Sequence, residues 1–212
     1  MRSSLFWIPL TGCGMAGAMH QASLVGQCAG GDAACSRFHP QAPIAIGAHF
    51  YPEVATELAG TSTPNLRLES VAPDVVEVAD GALVGRGAGT CAVLIASDDG
   101  SIVDVVHVWV SPVTKITLAR RDGDRVTGAL ALVIGEDVTL VPALWNGAQR
   151  LSGDADARWS ATLGSDTAEP PVAILRDGSA DRRRLRARAP GKATVTVALG
   201  DARATLDVEV AP

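Results

Sequence analysis

Apolar and polar residues alternate with a period of two through most of this chain, and no stretch sustains the 3.6-residue period of an amphipathic helix. Over residues 102–110 the alternation puts Val106, Val108 and Val110 on one face and Val105, His107 and Trp109 on the other. Residues 65–71 set Leu66, Leu68 and Ser70 against Asn65, Arg67 and Glu69, and residues 90–96, almost all apolar, predict a central strand. Turn chemistry separates these runs. Ala72-Pro73-Asp74 precedes the Val-rich residues 75–78, and Asp80-Gly81 forms a tight hairpin into Leu83-Val84. Pro52, inside residues 49–58, has no N–H to give a ladder, so that run is expected at a sheet edge or a bulge. Short strands spaced by turn signals predict an all-β sandwich.

The pattern occurs twice. Residues 83–112 and 185–212 share an opening Leu, a Gly (Gly89, Gly191), a run of small and β-branched residues, a polar turn and a last alternating strand ending in Pro112 or Pro212. Upstream, Leu132-Val133-Ile134-Gly135 matches Ile44-Ala45-Ile46-Gly47, and residues 138–145 match residues 49–58. Arg158-Trp159-Ser160-Ala161 falls where Arg67-Leu68-Glu69-Ser70 fell, and Val172-Ala173-Ile174 answers Val76-Glu77-Val78. The expected organisation is therefore two tandem β-sandwiches, residues 42–112 and 113–212, the second opening with a strand at 113–118. Only about two residues separate them, a join short enough to restrict how they swing. Gly89 and Gly191 are expected at sharp turns needing positive φ, so a bulky residue at either should cost stability.

The first residues read differently. Arg2 is followed by the short apolar run Leu5-Phe6-Trp7-Ile8-Pro9-Leu10 and then Leu10-Thr11-Gly12-Cys13, so residues 1–13 resemble a lipoprotein signal with its lipobox. Acyl chains on Cys13 would hold the protein at a membrane surface. The Ala-, Gly-, Ser- and Gln-rich residues 14–41 have the composition of a flexible tether. Within it, Cys28 and Cys35, separated by six residues including Gly30-Gly31, are read as a small disulfide loop in an oxidising compartment, with two free thiols as the alternative. The spacing is wrong for a zinc knuckle, and His20 and His39 complete no ligand pattern, so no metal is assigned. Cys91, alone in an apolar strand, reads as a small core residue.

With these residues in view, the chain resembles bacterial immunoglobulin-like domains of the group 2 kind. The matching residues are Ser70-Val71-Ala72-Pro73-Asp74-Val75-Val76-Glu77-Val78 and residues 83–93 in the first copy, with Trp159-Ser160-Ala161 and residues 185–197 in the second. The resemblance covers residues 42–212. The second copy departs in its longer, basic turn at 178–184, and the first by carrying Cys91 where Ala or Thr is usual. The resemblance implies exported spacer, adhesive or accessory modules and no shared catalytic residues.

Composition narrows the function. A net charge of −5 over 212 residues argues against a nucleic-acid binder, and with aromatics at 4% the cores must be built from Val, Leu, Ile and Ala. Alternation puts Arg184, Arg186 and Arg188 on one face, a row suited to an anionic glycan or lipid headgroup, or simply a solvated face balanced by Asp177 and Asp181. Asp98-Asp99, Asp122-Gly123-Asp124 and Asp154-Ala155-Asp156 read as acidic turns before calcium sites. His49 and His107 neighbour no nucleophile pattern, so no catalytic residue and no cofactor is assigned. Trp145 and Trp159 read as packing residues before sugar platforms. The expectation is a non-enzymatic cell-envelope protein, a spacer or adhesive module, held to a membrane by lipid and meeting an unknown surface protein or glycan. The alternative is a carbohydrate-binding module.

Overall fold

A computed structural model describes residues 22–27, 42–56, 65–163, 170–178 and 181–212, and the described residues contain strands and turns but no helix. The first half contributes β1 (Ala22–Gln27), β2 (Ile44–Ala45), β3 (Ala48–Thr56), β4 (Leu66–Ser70), β5 (Val76–Ala79), β6 (Ala82–Gly85), β7 (Gly89–Ser97) and β8 (Ile102–Ser111). The second contributes β9 (Lys115–Arg120), β10 (Leu130–Val133), β11 (Asp137–Asn146), β12 (Gln149–Arg150), β13 (Asp154–Ala155), β14 (Arg158–Leu163), β15 (Val172–Arg176), β16 (Arg183–Ala187), β17 (Gly191–Leu199) and β18 (Ala202–Ala211).

Four sheets result. In the first half the order β2-β8-β7-β4 faces β1-β3-β6-β5; in the second, β10-β18-β17-β14 faces β12-β11-β16-β15, with β9 beside β11. These are two immunoglobulin-like sandwiches in tandem. Inward positions carry the core, including Val76, Leu83, Val93, Ile95 and Val108 in one sandwich and Leu140, Leu185, Val195, Val197 and Leu206 in the other. Val106, which shares the inward face of β8 with buried Val108 and Val110, is half-buried and packs on that core.

The internal repeat holds residue by residue. Ile44 lies parallel to Val110 and Leu132 parallel to Val210. The next N–H but one on each side repeats the bond: Ile46 N–H donates to Ser111 O and Ile134 N–H to Ala211 O. Gly47 (φ 80°) and Gly135 (φ 87°) then turn the chain across the sandwich, donating to Gly85 O and Ala187 O. Arg67 faces Ala96 and Arg158 faces Ala198; Val76 faces Gly85 and Val172 faces Ala187. Gly89 (φ 151°) and Gly191 (φ 144°) open the two long central strands opposite Val110 and Val210. Asp80 (φ 50°) and Gly81 (φ 75°) are the two loop residues between β5 and β6, with the doubly positive φ of a primed hairpin turn.

Three expectations are corrected. Residues 22–27, inside the stretch whose composition reads as a tether, are β1, paired antiparallel with β3 from Ala22–Thr56 to Gln27–Tyr51. This is the place that β9 holds against β11 in the second sandwich. Composition weighs side chains, whereas the exposed backbone edge of β3 needs only six extended residues to cover it. The rest of 14–41 lies outside the described residues, as do Cys13, Cys28 and Cys35. Second, β3 is flanked on both sides despite Pro52. Its pairing with β6 spans only His49 and Phe50, so on that side no ladder asks for the missing N–H. Third, the strand expected at 113–118 is β9, which runs Lys115–Arg120.

Candidate functional site

The feature that sequence reasoning missed lies where the sandwiches meet. After β12 the chain runs Leu151-Ser152-Gly153 and enters β13, which pairs not with its own sandwich but with β3 of the other: Asp154 faces His49 and Ala155 faces Ala48. Since β1 and β6 take opposite sides of β3, β13 continues the edge that β1 covers farther along. Ser152 is 1% exposed. Its N–H donates to Pro43 O (2.8 Å), its carbonyl accepts from Ala45 N–H (3.0 Å), and its hydroxyl lies 3.1 Å from the carbonyls of both Ala42 and Pro43. Every polar group of a buried serine is thereby used to tie the halves together.

Packing follows the hydrogen bonds. Ala48, Leu151, Ala155 and Ala157 are all buried, and the apolar cluster is continuous from one sandwich into the other. Gly153 has φ 93°, and a Cβ there would stand 3.0 Å from the Ala48 Cβ and 3.2 Å from the His49 carbonyl oxygen. A side chain there would be crowded against β3 and held at a φ that favours glycine. The covalent join adds to the restraint: Thr114 N–H donates to Trp145 O (2.8 Å), and Gly147 N–H donates to the Thr114 hydroxyl (2.8 Å).

Residues singled out from the sequence fall elsewhere. Arg184 and Arg186 of β16, and Arg188 just past its end, alternate with buried Leu185 and Ala187, Arg184 half-buried and the other two exposed. Asp137 on β11 faces two of the three arginines. Arg186 Nε and Nη2 both lie 2.7 Å from the Asp137 carboxylate, and Arg184 Nη1 lies at 3.8 Å. Asp177 accepts from the Thr139 hydroxyl, and Asp181 sits 3.9 Å from Arg182. The fork from Arg186 holds the Asp137 carboxyl below its usual range, and Asp137 raises Arg186 in turn.

Carboxylates of the acidic turns accept hydrogen bonds from within and beyond their own turns. The Ser97 hydroxyl and then the Ser101 N–H hold Asp99 below the usual carboxylate range; Asp98 accepts from Asn65, and Asp122 from Asp124 N–H. Asp154 is in β13, and Asp156 accepts from Arg183. His49 stacks on Tyr51 (centroids 6.4 Å apart) on β3, and His107 points out from β8, so the histidines occupy different sheets. Cys91 is 2% exposed, its Sγ 3.3 Å from the Ser70 hydroxyl. Trp145 is half-buried with its indole N–H donated to Thr117 (2.9 Å). Trp159 is half-buried too, whereas Trp109 is 45% exposed on the outer face of β8.

No family model and no curated protein matches the chain. Among solved structures it is similar to domains 4 and 5 of the S-layer protein SbsC at 17% identity and TM-score 0.33, over 77% of this chain and 83% of that one. It is similar also to titin domains Z1Z2 in complex with telethonin, at 13% identity and TM-score 0.27, over 80% of this chain and 93% of that one. The immunoglobulin-like fold stands on the strand pairing of the chain itself.

Proposed function

We propose that the chain is a non-enzymatic spacer or adhesive module of the cell envelope, built of two group 2-type bacterial immunoglobulin-like domains meeting near Pro112. The observation that carries this reading is the Ser152–β13 joint. A hydrogen-bonded, buried joint removes freedom that a chain of independent binding domains would keep, and fixes the distance between the two ends. In this reading the segment before Ala22 leads to a lipid-modified Cys13, and Cys28 bonds to Cys35 in an oxidising compartment. Mass spectrometry of the mature protein from fractionated cells tests it: an N-terminus at Cys13 carrying acyl mass, in the envelope fraction and two hydrogens lighter at Cys28 and Cys35, is the expected result. A cytoplasmic chain with unmodified Cys13 overturns it.

A sugar platform on Trp145 would need its ring on an open flat face. With its N–H bonded to Thr117, that half-buried ring favours a packing role.

A further inference from the structure

We propose that the open end of the second sandwich binds an oxyanion-bearing saccharide, a uronate or sulfated sugar unit. A cleft of about 750 Å³ lies between the ends of its two sheets, where β15 passes to β16 and β17 turns at Gly200 into β18. Its volume is that of a small-molecule site. Four arginines line it, Arg158, Arg176, Arg183 and Arg203, against one carboxylate, Asp156.

Such crowding needs a cause in a chain whose net charge is −5. Arg176 stands directly opposite Arg183 in the β15–β16 ladder, where like charges repel. Arg158 and Arg203 flank Ala198 in one row across β14, β17 and β18. Asp156 is engaged by Arg183, whose Nη2 lies at 3.2 Å and whose side chain is 9% exposed. Arg158, Arg176 and Arg203 reach no carboxylate among the described residues. The indole N–H of Trp159, in the wall of the same cleft, is buried without an acceptor. Fold stability alone does not call for three uncompensated guanidinium groups around one cavity. An anion does, and the planar guanidinium fork matches a carboxylate or sulfate.

The shape favours a compact sugar over an extended acidic peptide. Peptides gain main-chain bonds by adding to a sheet edge, and this cleft opens between strand ends. A stiff aromatic wall beside charged forks suits a ring carrying an acid group.

Titration calorimetry of the intact chain with digalacturonate tests this, beside neutral galactobiose, sodium sulfate and a tetra-aspartate peptide. The expected result is saturable one-to-one binding of digalacturonate, weakened by added NaCl and roughly tenfold or more by Arg158→Ala with Arg203→Ala. These side chains sit on exposed positions, so the melting temperature should hold; Arg203→Gln alone gives the same direction with less perturbation. Galactobiose should not bind, and sulfate should compete weakly. Absence of digalacturonate binding, equal binding of tetra-aspartate, or a loss that follows Arg184→Ala and Arg186→Ala instead would overturn the proposal.

Discussion

Gly191 shows how one residue carries a physical demand. Its φ of 144° is repeated by Gly89 at 151°, each at the first residue of a long central strand. A Cβ at Gly89 would have room, its nearest neighbour being Val75 at 3.5 Å, so the cost of a side chain there is backbone strain and not a clash. Gly191→Val should therefore destabilise by about 1–3 kcal/mol, read as a lower denaturation midpoint with unchanged slope. Asp137 makes a second demand. Its folded-state pKa is depressed by Arg186, so its contribution is present above the unfolded carboxylate range and is lost as pH falls through the folded value. Melting curves of wild type and Asp137→Asn should differ most at neutral pH and converge on acidification below about pH 4. A gap that widens in acid would refute that pairing. The glycine was legible in the sequence because it recurs at the same point of two copies. The partner of Arg186 was not, since it lies on another strand and only the register brings Asp137 opposite.

Among the elements, most of the first-order pattern could be read from alternation and turns. The Asp80-Gly81 hairpin, the long strands after Gly89 and Gly191, and the equivalence of Arg67 and Arg158 follow from it, while the alanines opposite those two arginines come from the register. Two elements gave no such signal. β1 is six residues in a small-residue stretch, and its partner β3 lies more than twenty residues on. β13 is a two-residue strand whose partner is about a hundred residues away, in the other sandwich. Local pattern cannot report pairing at such separations, since period and turn chemistry describe neighbours along the chain and not partners across it. Gly153→Val tests the role of β13. Its side chain would meet Ala48 and the His49 carbonyl at a φ unfavourable to L residues, costing about 2 kcal/mol or more. Hydrogen exchange should show the Ala45 amide, bonded to Ser152 O, losing protection while amides within β17 and β18 keep theirs. Equal loss throughout would assign Gly153 to global stability instead.

For the whole molecule, the two sandwiches and their covalent join were expected from the repeat, but the device that locks them was not. A short linker limits swing; the buried Ser152, the β3–β13 pairing and the continuous apolar cluster remove it. Ser152→Ala, which deletes one buried hydroxyl while keeping both main-chain bonds, should cost only about 1 kcal/mol and leave the joint closed. The most direct test of a locked tandem is to measure residual dipolar couplings in weakly aligned solution and fit each sandwich separately. Wild-type protein should give one alignment tensor, equal in magnitude and orientation for residues 65–111 and 115–212, with Gly153→Val splitting it in two. Distinct tensors in the wild type would contradict the account.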